Sequence, residues 1–120
     1  MANLSHHEQS ILNELEFLMM KRKRVWIMYQ DKKKKNRDEF RYVEPHLIGE
    51  LLSTGNVELS AWFIPTIEQA EQYGDKQGWR LYELDNISEV RDTDPNDIMT
   101  RTRPNYNRDD QRMRAIYCNI

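Results

Sequence analysis

The sequence predicts an α+β domain, one N-terminal helix followed by several short strands. Three observations carry that prediction. A capping signature opens an amphipathic repeat near the N-terminus. A strictly alternating segment occupies the middle of the chain. Segments rich in branched and aromatic residues are separated by turn-forming residues at short intervals. The length of 120 residues suits one domain with one modest core.

Each element has a local reason. Ser5-His6-His7-Glu8 has the form of a capping box, and Ile11, Leu12, Leu15, Leu18 and Met19 follow at helical spacing, so a helix is expected over residues 5–22. Residues 25–30 are apolar on both faces, with Val25, Ile27 and Tyr29 on one side and Trp26 and Met28 on the other. That suits a strand lying between a sheet interior and a covering element. The polar stretch 31–38 ends it and puts Lys32, Lys33, Lys34 and Lys35 at a hairpin tip. Residues 40–52 form the returning strand, with Phe40, Tyr42 and Leu47 expected inward and Pro45 marking an edge, bend or bulge. After the turn signal at 53–56, Val57, Leu59, Ala61 and Phe63 alternate with Glu58, Ser60 and Trp62. Pro65 closes that strand, a helical turn is expected near 67–73, and Gly78 opens a strand that leads to a last short one at 87–91. Asn107 or Asp109 is placed to cap a short helix carrying Met113, Ile116 and Tyr117.

Charge is segregated along the chain. The net charge is -2, yet residues 21–41 hold ten Lys/Arg against three Asp/Glu, and residues 42–100 hold three against twelve. Residues 101–114 are again basic, with five Arg against two Asp. Such polarity suits binding of a polyanion on one side. No apolar run is long enough to cross a bilayer, and the N-terminus lacks the pattern of a secretory signal. The single Cys118 excludes an internal disulfide and a cysteine metal cage, so a cytoplasmic location is expected. Residues 92–103 begin like a calcium loop, but Asp97 and Arg103 stand where Gly and Glu are needed. No zinc spacing, phosphate-binding glycine loop or activated nucleophile is visible, so the expectation is a non-enzyme with no cofactor and no metal.

The order Tyr29, then Arg41-Tyr-Val-Glu-Pro45, then an alternating strand, then Arg80-Leu-Tyr-Glu-Leu-Asp-Asn-Ile87 resembles the WYL domain of bacterial and phage regulators. The segment Arg103-Pro-Asn-Tyr-Asn107 is similar to the ending of short stand-alone members. The namesake tripeptide is replaced by Val57-Glu58-Leu59, and Glu83 and Asn86 stand where the usual pattern has arginines. The resemblance implies a small, strongly bent, five-stranded Sm-like (SH3-like) β-barrel over 23–92, with a helix at 1–22 and a tail at 93–120 that wraps the barrel or docks on a partner. It further implies a regulatory or accessory module that binds an anionic ligand, a nucleotide or single-stranded nucleic acid, through Tyr29, Arg41, His46, Trp62 and Arg80. Lys21, Arg22, Lys23, Arg24, Lys32, Lys33, Lys34, Lys35 and Arg37 are the candidates for tracking a phosphate backbone. The competing expectation is a protein-interaction module docking on a larger machine such as RNA polymerase or a nuclease effector. A homo-oligomer is a further candidate assembly.

Overall fold

The computed structural model describes residues 4–32 and 37–120, and Lys33, Lys34 and Lys35 lie outside the described residues. Helix α1 (His6–Met20) opens on the expected box. The Ser5 hydroxyl accepts from the Glu8 N–H and the Glu8 carboxylate accepts from the Ser5 N–H, each at 3.0 Å. Its buried stripe is Ile11, Leu12, Leu15, Leu18 and Met19, the five residues picked out by periodicity.

Strands β1 (Val25–Gln30), β2 (Asp38–Leu51) and β3 (Val57–Ile64) follow. The short helix α2 (Ile67–Tyr73), β4 (Gly78–Glu83), a 3-10 turn (Leu84–Asn86), β5 (Ile87–Asp92) and β6 (Met113–Asn119) complete the chain. All pairings are antiparallel, in the order β4-β3-β2-β1-β5, with β6 added to β2. The sheet therefore has six strands rather than the five expected. It is also not closed, because β4 and β5 are the two ends of the path and do not pair. The fold is an N-terminal helix packed on an open antiparallel sheet. Among the described residues no helix is long and apolar enough to cross a membrane.

The long β2 organises the molecule. Its first half pairs with β1 and its second half with β6 along the same edge, while β3 covers the other edge. Between Pro45 and Leu47 the register slips by one residue, leaving His46 as the bulged residue. The slip inverts the alternation. Arg41 and Val43 share the inner face with their cross-strand neighbours Ile27 and Val25, whereas beyond the bulge Ile48 lies opposite Leu59 and enters the core. Phe40 and Tyr42, expected inward, are instead half-buried on the outer face, and Arg41 takes the inner position. Val57, Leu59, Ala61 and Phe63 all enter the core as the alternation requires.

The segment expected as a C-terminal helix is β6. The second half of β2 has an edge whose N–H and C=O groups need partners, and an extended chain supplies them where a helix would not. The fit is close. A Cβ on Gly49 would come within 2.6 Å of the Ala115 carbonyl oxygen. Helix α2 is held by a second capping box, Thr66 with Gln69, and Gln69 Nε2 donates to the Phe40 carbonyl at 2.9 Å.

Candidate functional site

Helix α1 packs against β2, β5 and the 3-10 turn, and a hollow lies beside Arg41, Arg80 and Tyr82. There the register places Arg41 opposite Ile27 on β1, Arg80 opposite Ala61 and Tyr82 opposite Leu59. Alternation aims these side chains the same way as the core residues beside them, so they converge at the sheet's open end. Together with Tyr29, Glu83 and Asn86 they line a hollow of about 330 Å³.

Arg41 is the central feature. It is 7% exposed, and its Nε and Nη2 make no hydrogen bond among the described residues. Its nearest carboxylates, Asp31 at 3.8 Å and Glu39 at 3.9 Å, lie beyond hydrogen-bonding distance. The guanidinium rests over the Tyr29 ring at 5.2 Å and the Tyr82 ring at 6.0 Å. The Tyr82 hydroxyl and the Asn86 Oδ1 are also buried with no partner in hydrogen-bonding geometry, although Tyr82 lies against Arg41 and the Asn86 side chain against Tyr29. Burial pushes the Tyr82 phenol up to about 12, against the pull of Arg41 and Arg80, so it stays a neutral donor. Burial raises Tyr29 as well. Arg80 is exposed at the mouth, donating to the Trp79 and Lys76 carbonyls at 2.9 Å each. The lining carries four basic residues, Lys32, Arg37, Arg41 and Arg80, against Asp31, Glu58, Asp75 and Glu83. A hollow with balanced charge suits one anionic group rather than a run of phosphates.

Two of the expected ligand residues are elsewhere. His46 is 0% exposed on the outer side of the sheet, with both ring nitrogens engaged. Its Nε2 accepts from the Arg103 N–H at 3.2 Å, which leaves the proton on Nδ1 to be donated to the Glu44 carbonyl at 2.8 Å. Burial depresses its pKa below the ordinary 6.5. The Trp79 and Tyr106 rings pack against it, with centroids at 4.7 and 4.9 Å. Trp62 lies beside Trp79, beneath the Arg103 guanidinium, and donates to Gln77 at 3.2 Å. These residues belong to a clasp that straps the tail to the sheet. In it Trp79 Nε1 donates to the Pro104 carbonyl at 2.9 Å, and the Tyr106 hydroxyl reaches the His46 and Ile120 carbonyls. Glu44 sits at its centre, bonded by Arg24 and by Arg103. Burial alone would raise its pKa, but these two guanidinium groups outweigh it and hold the carboxyl below the usual range.

The basic candidates divide in the same way. Lys23 is buried and paired to Asp92 at 3.2 Å, Arg24 bridges Glu44 and Asp97 at 2.7 Å each, and Arg37 pairs with Glu39 and Asp75. These three are structural cations, since folding has already supplied their anions. Lys21 and Arg22 are exposed at the end of α1, and Lys32 is exposed beside the hollow. Sequence reasoning did not single out Tyr82 as a site residue. The available signal was its two-residue spacing from Arg80, which puts both on one face of the strand.

Comparison with family models, with curated proteins and with solved structures returns no match for this chain.

Proposed function

We propose that this chain is a non-catalytic regulatory or accessory module of the WYL type, binding an anionic ligand of the nucleotide class in the Arg41 hollow. The ligand is a free nucleotide or one nucleotide of a single strand, and its binding modulates transcription or a nucleic-acid effector. The observation that supports this reading is Arg41, a buried guanidinium with two nitrogen atoms lacking hydrogen bonds, on a residue that lines a hollow. A buried charge without bonded partners is costly, and an anion with planar acceptor oxygens relieves that cost by engaging the guanidinium fork. The strand order and the direct 3-10 link between β4 and β5 support the Sm-like part of the reading, although the sheet itself is open between those two strands.

Titration with short single-stranded RNA and DNA and with mononucleotides, at low and high salt, tests it. Binding at low salt that is lost in Arg41→Met and weakened in Arg80→Ala is expected. Absence of binding at low salt, or binding indifferent to both substitutions, overturns the reading. The competing protein-interaction reading has its own observation, in that Phe17 and Met20 project from α1 at 61% and 79% exposure. Partners captured through α1 and retained after nuclease treatment would favour it.

A further inference from the structure

Four buried polar atoms on residues that line the hollow have unmet hydrogen-bonding demands, of two opposite kinds. Arg41 Nε, Arg41 Nη2 and the Tyr82 hydroxyl need acceptors. The Asn86 Oδ1, on a residue 5% exposed, needs a donor. Its identity as the oxygen is fixed by its own amide, because Asn86 Nδ2 already donates to Glu83 Oε2 at 3.3 Å. Glu83 lines the same hollow and is itself under-served. Its two oxygens accept only long bonds from neutral amides, from Asn56 at 3.4 Å and from Asn86, and it has no ion pair among the described residues. One part of the hollow therefore asks for an anion. Another, built from Asn86 and Glu83, asks for N–H donors.

We infer that the hollow selects a small ligand with an anionic group at one end and a two-donor N–H edge at the other, the chemistry of a guanine mononucleotide. This rests on the reading of Arg41 as an anion site. The phosphate takes the Arg41 fork and the Tyr82 hydroxyl. The guanine ring imide and exocyclic amine, adjacent donors, match a carboxylate with two oxygens and the neighbouring Asn86 carbonyl. Tyr29 lines the same hollow, with the Arg41 guanidinium over its ring. The size agrees, since about 330 Å³ lies at the small end of ligand pockets and favours one nucleotide over a longer strand. Glu83 and Asn86 are also the positions where the WYL pattern has arginines, so the acceptor end is a property of this chain rather than of the resemblance.

Calorimetric titration of the full chain with guanosine, inosine and adenosine 5′-monophosphates, guanosine and inorganic phosphate tests the inference. Guanosine monophosphate is expected to bind about tenfold more tightly than the inosine form, which lacks only the exocyclic amine, and than the adenosine form. The isosteric Glu83→Gln, at a half-buried position with only long bonds, is expected to fold normally and to reduce guanosine monophosphate to the inosine level. Equal affinities for all three nucleotides, unaffected by Glu83→Gln but abolished by Arg41→Met, would overturn the donor-edge inference and leave the anion site standing. No nucleotide binding, or binding insensitive to Arg41→Met, would overturn both.

Discussion

Arg41 and Glu44 lie three residues apart on one strand, both are buried, and both are charged, yet their surroundings are opposite. Glu44 faces the outer side, where Arg24 and Arg103 supply bonded counter-charges. Arg41 faces the inner side, where the nearest carboxylates stop at 3.8 and 3.9 Å. The difference separates a structural charge from the one proposed to bind a ligand. A buried charge whose bonds are completed by its own chain holds the chain together. One left incomplete beside a hollow is the one proposed to meet a ligand.

The largest expected effect breaks the completed side. Glu44→Ala leaves Arg24 and Arg103 facing each other across a void and removes the anchor of residues 97–106. A loss of roughly 3 kcal/mol is expected for removing one member of a buried charge cluster. Denaturant unfolding of the variant measures it. A loss below about 1 kcal/mol, the range of a surface pair, would mean that the tail is held by its aromatic contacts alone and that the contrast with Arg41 is not one of charge compensation.

A smaller effect is expected from acid. The His46 pKa is depressed in the fold, mainly by burial, so the unfolded chain takes up a proton near 6.5 that the folded chain refuses. Its contribution to stability is complete above that pH and is lost as pH falls through the depressed folded value. Glu44, also depressed, adds a second loss below its ordinary value of 4.5. Thermal unfolding from about pH 8 to about pH 5 should therefore show a falling midpoint that flattens in His46→Gln. An identical slope in that variant would show that His46 is not the group that senses acid in the clasp.

The helix and the inner face of β3 were legible in the sequence because each obeys one local rule, a cap followed by a period of 3.6 or an alternation of two. The faces of β2 were not. A single bulged residue at His46 inverts the alternation over the second half of this fourteen-residue strand, and Pro45 signalled only that some irregularity was near. The pairing of Arg41 with Ile27 puts Phe40 and Tyr42 outside, and the bulge puts His46 under the tail rather than on a rim. The C-terminal strand was hidden for a different reason. Met113, Ile116 and Tyr117 fit helical spacing, and only the unpaired edge of β2, a tertiary fact, selects the extended form. Of the proposed site, Tyr29, Arg41 and Arg80 could be picked from chemical type and order. Tyr82, Asn86 and the balanced lining needed cross-strand register.

The smallest expected effect, and the one that sharpens the comparison most, comes from the incomplete side. Arg41→Met keeps an unbranched side chain of similar length over the Tyr29 and Tyr82 rings while removing two buried nitrogen atoms that have no hydrogen bond. The apolar replacement no longer requires a buried charge to be desolvated, so the free protein should be unchanged or more stable, by up to about 1 kcal/mol. The sign is the informative part. Glu44→Ala and Arg41→Met each remove one buried charge from the same strand, and only the first should weaken the fold. A neutral or stabilised Arg41→Met that no longer binds nucleotide would show that Arg41 is kept at the expense of stability, as expected of a residue that completes its hydrogen bonds with a ligand. A loss of more than about 2 kcal/mol would instead assign Arg41 to the fold, through its ring contacts and its distant carboxylates.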